Sequence, residues 1–375
     1  MTTSSAARPG PIDGADATLV LPAFTSVLTE LGYLDFVAAF NPMALRRESF
    51  TAAREAAPPE LAALIDLLLL SRPVTRSMMQ GLLGDAVGTL VDLRLLRAPD
   101  SDVVVMPSLI LVNVLGCWMF VQQQQVAPTL YFGDDSFGLM YRILARAKGK
   151  CLDLCCGPGA QTLALTARAS SVTGIDINPA AVALARINIP LNGVADKAEA
   201  RVGDLYSPVP GDRFDTIVAN PPLLPVPPEL SYPFVGDGGD DGFRVTERIL
   251  SGLPGALSPG GTAHVIGTAL GDGISAQLED ELDTWARKCR LHVLMTQVCA
   301  VPLLPQTEMF DGLVATVCGY SGVSRDAASG AYADWLRRKS ATHLVTFLLS
   351  VSNHGVGLDI MDIGGLLPAR ALWFA

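Results

Sequence analysis

From about Lys148 the chain repeats an apolar strand-like run, a turn and a helix, which is the pattern of a parallel sheet with helices on both faces. The runs end in residues that carry chemistry. "KCLDLCCGPGAQTLALTA" leads a strand through Asp153 into a turn holding Gly157 and Gly159, then into a helix from near Gln161. Glycines there let backbone approach a ligand where a Cβ would collide, and the N–H groups of the helix point toward the same crevice. "SSVTGIDINPAAVALARINIPLNG" closes a second strand on Asp176 ahead of a helix starting at Pro179. An acid about 20 residues beyond a glycine loop has the spacing that reaches ribose hydroxyls. "AEARVGDLYSP" ends on Asp204, where an acid or its backbone meets an adenine amino group, and "FDTIVANPP" ends a fourth strand on Asn220.

The fourth ending is unusual, because a strand that reads as buried stops on a side-chain amide followed by Pro221 and Pro222. At the carboxyl end of a strand in an open α/β sheet, the Asn220 amide oxygen and the Pro221 carbonyl are two acceptors that can hold a planar nitrogen. Prolines fix φ, keep the corner rigid and add no competing donor. Asn220 and Pro221 are therefore the catalytic candidates. A full G-x-G-x-x-G is absent, one strand-to-helix repeat precedes each acid, and Asn-Pro-Pro closes the set; together these favour S-adenosylmethionine over NAD.

On these motifs the sequence resembles the class I S-adenosylmethionine-dependent methyltransferases of the NPP type, and the HemK-like glutamine methyltransferases among them. The resemblance spans about residues 128 to 270 and includes "GDGGDDGFRVTERILSGLPGALSPGG" downstream. It implies a Rossmann-like α/β fold with a seven-stranded sheet. It also implies that Asp153 and the Gly157 to Gly159 turn meet the amino-acid moiety of the cofactor, Asp176 the ribose and Asp204 the adenine. Cys155, Ile177 and Leu205 adjoin these positions and complete the expected cofactor set, with Asn220 at its edge. "YFGDDSFGLMYRI" stands where such enzymes lay a lid, so Tyr131, Phe132, Asp135 and Phe137 are contact candidates, with Pro222 and Leu223 on the acceptor side.

The sequence departs from the resemblance in three places. Cys155 stands where a glycine is often found. Leu223 replaces the aromatic residue that normally stacks on a planar acceptor, removing roughly 1 to 3 kcal/mol of stacking for a nucleobase. The N-terminal region does not match the helical domain of release-factor methyltransferases. Its helical stretches and the strand "DVVVMP" suggest a winged helix, in which Arg72, Arg76, Arg94 and Arg97 are matched by Asp85, Asp92, Asp100 and Asp102. Without a positive face it reads as a docking or substrate-capping module, not a DNA reader. The expected domains are a disordered tail over 1–20, a capping domain over 21–127 and the methyltransferase domain over 128–375.

The net charge of −10 disfavours a nucleic-acid partner. With the missing aromatic and the apolar cap, it favours a small-molecule acceptor: a nitrogen or an electron-rich ring carbon, indole-like rings included, of a specialised metabolite in natural-product biosynthesis. The alternative is a protein glutamine or an RNA base, and a second alternative is a non-catalytic S-adenosylmethionine-binding module. The oligomeric state is left open. Seven cysteines without a CxxC pair predict reduced thiols in a cytoplasm, with no metal site. The apolar run from Leu109 to Val121 falls short of the ~20 residues of a membrane span. His264, His292 and His343 read as structural, as do Trp335 and Trp373, and His354 is a weak candidate for proton removal. Asp237, Asp240 and Asp241 read as a mobile acidic lid. Both "LVATVCGY" and "HLVTFLLSV" qualify as the seventh strand.

Overall fold

The computed structural model describes residues 15–40, 47–123, 125, 128–364 and 372–373. Helices α1 (Ala15–Glu30), α2 (Tyr33–Ala38), α3 (Arg47–Arg54) and α4 (Pro59–Leu68) come first. Then follow β1 (Val74–Thr75), α5 (Arg76–Leu83), α6 (Ala86–Asp92), β2 (Val103–Val104) and an antiparallel hairpin of β3 (Leu109–Val114) and β4 (Cys117–Gln122). Residues 1–14 of the expected tail lie outside the described residues, whereas 15–20 belong to α1. The apolar run from Leu109 is the hairpin, with Leu115 and Gly116 at its turn, both at positive φ.

Of the four arginines set against acids in the sequence, Arg72 pairs with a different acid, Asp66. Arg54 and Arg72 both bond the buried Asp66, Arg72 at 3.0 Å, so one acid on α4 gathers two cations. β1 and β2 pair antiparallel, and a bridge between Arg97 and Val105 adds a third short rung.

The rest of the chain builds the large sheet. Helix α7 (Asp134–Ile143) leads into β5 (Lys150–Leu154), α8 (Ala160–Thr166), β6 (Ser171–Asp176), α9 (Pro179–Leu191), β7 (Ala198–Val202) and β8 (Phe214–Ala219). After α10 (Arg244–Ala256) come β9 (Leu257–Gly271), α11 (Glu279–Cys289), β10 (His292–Pro302), α12 (Glu308–Ser321), α13 (Arg325–Arg338), β11 (His343–Ser352) and β12 (Gly357–Asp362). The strand order is β7-β6-β5-β8-β9-β11-β10-β12. β11 alone runs antiparallel to its neighbours. This is the expected Rossmann-like class I sheet, with an eighth strand, β12, added parallel to β10 at one edge. The chain leaves β5 toward β6 and β7 and returns to the other side of β5 as β8, so a crevice opens between the carboxyl ends of β5 and β8.

The seventh strand is "HLVTFLLSV", in β11, whereas "LVATVCGY" lies within α12. The Thr307 side chain caps the start of α12, and Gly322 ends it at φ 74°.

One apolar cluster runs from Leu21 and Phe24 of α1 through Phe120 of β4 to Leu163 of α8 and Leu184 of α9. The edge of β4 is closed by two asparagines one turn apart, Asn188 on α9 and Asn192 at its C-cap. The Asn188 amide accepts from Phe120 N (2.8 Å) and donates to Phe120 O (3.0 Å), and Asn192 does the same with Trp118 at 2.8 and 2.7 Å. Each side chain mimics a neighbouring strand, which satisfies backbone groups that burial would otherwise leave unpaired. Asn188 also donates to the Pro158 carbonyl (2.9 Å), tying the hairpin to the glycine turn. Among the described residues no helix is long and apolar enough to cross a membrane.

Candidate active site

Two clefts meet over the carboxyl ends of β5, β6 and β8. The first, of ≈ 990 Å³, is lined by the turn after β5, the end of β6, the start of the loop after β7 and Asn220. The second, of ≈ 1010 Å³, lies beyond the Asn-Pro-Pro corner and is bounded by α7, α12 and the segment around Trp373. Tyr131, Asn220 and Val235 line both and mark the junction.

The wall of the first cleft is built by backbone. Asp176 accepts from Gly157 N (2.9 Å) through one carboxyl oxygen and from Asn178 N (2.8 Å) through the other, so the acid is held at a fixed angle at the rim. Burial raises its pKa and the two N–H groups oppose the rise. Gly157, at φ 54°, has nothing nearer to a would-be Cβ than the Tyr131 carbonyl at 3.7 Å, leaving the space over the turn open. Cys155 (φ 59°) and Leu205 (φ 48°) also line this cleft in the left-handed region, although neither is glycine. Such strain persists only where the surrounding structure enforces it. Ile177, half exposed, lines the same cleft and offers an apolar face to a flat ring.

Asp153 and Gly159 do not line the cleft. Asp153 is fully buried beneath it, with one oxygen accepting from Thr162 Oγ1 (2.7 Å) and the other without a partner. Burial pushes its carboxyl up to about 7. Gly159 begins α8 at φ 93°, and a Cβ there would sit 3.3 Å from that of Ala185, so its place is in helix packing. Asp204 lies on the exposed rim, paired with Arg248 at 2.7 Å.

The Asn-Pro-Pro corner is clamped from behind. Thr268 Oγ1 donates to the Leu223 carbonyl, and added Cβ atoms on Gly238 or Gly242 would strike the Leu223 backbone at 2.8 and 2.7 Å. Only glycine lets the acidic loop lie this close. The loop is bonded both to the corner and to the end of α13. Leu224 exchanges backbone bonds with Gly236 and Gly238, and Asp240 accepts from Trp335 Nε1 (2.7 Å) and pairs with Lys339. Pro222 faces the first cleft; Pro221 and Leu223 face the second. Asn220 Nδ2 donates to Ser136 Oγ (3.2 Å), while its Oδ1 is buried without a partner among the described residues.

Phe132 and Phe137 line neither cleft and pack instead against the core, the commoner fate of large aromatic side chains. Asp135 does line the second cleft; burial first, then the neighbouring Asp134 charge, raises its carboxyl to about 7. His354 lies beside Gly260, near the start of β9 and so at the opposite end of the sheet from the clefts, which removes it as a proton acceptor. His264 is buried against Ser350 Oγ at 3.2 Å and burial lowers its pKa to about 3. Sequence reasoning missed Ser136, Gln161, Arg248, Tyr232, Met309 and Thr316. Ser136, Gln161 and Arg248 stand inside the motif segments at positions to which no role was attached, whereas Tyr232, Met309 and Thr316 reach the second cleft from outside the motifs.

A doubly wound sheet with a carboxylate after its second strand and Asn-Pro-Pro after its fourth defines a class I methyltransferase. Residues 134–286 match the methyltransferase small domain family. Over 151 residues the chain is 33% identical to a Methanocaldococcus jannaschii protein provisionally named protein N5-glutamine methyltransferase, covering 38% of this chain and 74% of that one. It is 32% identical over 178 residues to a ribosomal protein uL3 glutamine methyltransferase of Bradyrhizobium diazoefficiens (41% and 55% covered). It is 34% identical over 157 residues to a release factor glutamine methyltransferase of Cereibacter sphaeroides (39% and 56% covered). The chain thus spans little more than half the length of these last two relatives.

The chain belongs to the HemK-like group of class I S-adenosylmethionine-dependent methyltransferases. It is a methyltransferase and its cofactor is S-adenosylmethionine. The expectation of a small metabolite as acceptor, and with it natural-product biosynthesis, is overturned, because the relatives are named for glutamine acceptors in proteins. Leu223 supplies no ring, yet Tyr131 and Tyr232 bring rings into the second cleft from elsewhere. The first cleft fits the cofactor: an oriented carboxylate for vicinal hydroxyls, apolar faces at Ile177 and Leu205, and open space over Gly157.

Proposed function

We propose that this enzyme methylates the side-chain amide nitrogen of glutamine in a protein substrate. The observation that carries the reading is Asn220 Oδ1, a buried acceptor with no partner among the described residues, at the junction of the two clefts. A buried carbonyl left unpaired costs about 1 to 3 kcal/mol, a cost removed by an incoming N–H. A primary amide brings two such N–H groups, one for Asn220 Oδ1 and one for the Pro221 carbonyl. The names of the relatives support the same acceptor. An RNA acceptor is disfavoured by the net charge of −10 over the whole chain.

Bound S-adenosylmethionine supplies a methyl group on positively charged sulfur. Asp176 would hold the ribose hydroxyls, and Ile177 and Leu205 would flank the adenine. An amide nitrogen is a weak nucleophile because its lone pair is delocalised into the carbonyl. Two acceptors drawing on its N–H groups increase electron density at nitrogen and fix its plane toward the first cleft. The rigid corner supplies alignment, the contribution worth most to a reaction of this kind. As the bond from nitrogen to the methyl carbon forms, the bond from that carbon to sulfur breaks and leaves a neutral thioether, and the nitrogen gives up one proton to water.

The test is incubation of the enzyme with methyl-labelled S-adenosylmethionine and extract from cells lacking the gene. Acid hydrolysis of the protein fraction should release the label as methylamine, the fragment a methylated glutamine side chain yields. Label confined to RNA or to small molecules would refute the assignment.

A further inference from the structure

We propose that Ser136 is a positioning residue that sets which end of the Asn220 amide faces the acceptor. This rests on the glutamine reading above for its purpose, but its geometry stands apart from it. Ser136 sits in the first turn of α7 and is almost fully buried. Its hydroxyl can donate one hydrogen bond and accept two. The donor is committed to Asp135 Oδ1 at 3.2 Å. That oxygen also takes the Ser136 backbone N–H, so it acts as an acceptor whether or not the carboxyl carries a proton on its other oxygen. The two lone pairs of Ser136 Oγ face Gly133 N (3.5 Å) and Asn220 Nδ2 (3.2 Å).

A hydroxyl whose only proton is taken can present nothing but acceptors to Asn220. The Asn220 atom against it must therefore be the NH2, which turns Oδ1 toward the junction of the clefts. Gln161 Nε2 donates to the Ser136 carbonyl at 3.1 Å, so α8 holds the serine in place from the other side. Without the hydroxyl the amide gains freedom to turn over. In the turned state it offers a donor where the acceptor's own N–H must bind, and the acceptor is repelled.

The experiment is a double-mutant cycle on the full-length chain with Ser136→Ala, Asn220→Ala and both together. Methyl transfer is read on extract protein, and S-adenosylhomocysteine affinity by calorimetry. Ser136→Ala should lower kcat by roughly 10-fold, the scale of one lost positioning bond. It should leave S-adenosylhomocysteine affinity within about twofold, and in the Asn220→Ala background it should cost less than about twofold more. Equal losses in both backgrounds would overturn the proposal.

A second readout needs no acceptor. In 15N-labelled protein the Asn220 side-chain NH2 protons should exchange with solvent at least about 10-fold faster in Ser136→Ala, with Ser136→Thr restoring protection. Unchanged exchange in Ser136→Ala would overturn the proposal. If wild-type enzyme places no methyl group on glutamine, the glutamine reading fails while this exchange measurement still decides the role of Ser136.

Discussion

Replacing Asp176 with alanine should weaken cofactor binding by about 100-fold. In the free protein the carboxylate is engaged by two backbone N–H groups, from Gly157 at 2.9 Å and Asn178 at 2.8 Å, and retains lone pairs toward the cleft for ribose hydroxyls. Hydrogen bonds to a charged group contribute about 1.5 to 3 kcal/mol each. Removing the acid forfeits the ribose contacts and frees the Gly157 turn, which then has to be ordered on binding. A net loss of about 3 kcal/mol corresponds to roughly 100-fold in Kd. Calorimetry with S-adenosylhomocysteine measures it directly. A companion comparison of adenosine with 2′,3′-dideoxyadenosine isolates the contact: wild type should discriminate between them and Asp176→Ala should not. A mutant affinity within about threefold of wild type, or undiminished discrimination, would refute the reasoning.

The buried acids predict a distinctive pH dependence. Asp153 and Asp135 both have folded-state pKa values of about 7, above the unfolded carboxylate value, so the folded chain holds protons that the unfolded chain has released. Their stabilising contribution is complete below about pH 4 and is lost as pH rises toward 7. Denaturation between pH 4.5 and 7.5 should show Asp153→Asn with a flatter decline than wild type; parallel curves would contradict the burial argument. At Cys155, glycine should be tolerated to within about 1 kcal/mol, since relief of the φ 59° strain offsets the added chain entropy. Valine there should cost about 2 kcal/mol or more in urea denaturation, and equal midpoints for the two variants would count against a strained turn.

Strands β5, β6 and β8 were legible because each is short, largely buried and followed by a turn whose residue types serve a ligand. β7, an edge strand of alternating burial, was legible by the Gly203-Asp204 turn that ends it. Asp176, Gly157 and Asn220 could be singled out for the same reason: each stands at a fixed offset from a strand end. Reading failed where the signal is tertiary. "LVATVCGY" has the β-branched content of a strand, but the Thr307 cap and Gly322 frame it as part of a helix. Phe132 and Phe137 share a segment with Tyr131, yet of the three only Tyr131 reaches the clefts, and the other two rings pack against the core. Ser136 lies 84 residues from Asn220, and nothing local announces their contact. Asp153 carried a motif position but no ligand-facing surface, since its strand buries it beneath the cleft floor.

The account stands on the Asn220 amide at the meeting of the two clefts, and the Asn220→Ala variant tests it most directly. S-adenosylhomocysteine affinity and methyl transfer to protein should be measured on the same preparation. Affinity should stay within a few-fold of wild type while turnover falls by roughly 100-fold or more, the loss expected when a group that aligns the reacting atoms is removed. Turnover equal to wild type would contradict the central claim.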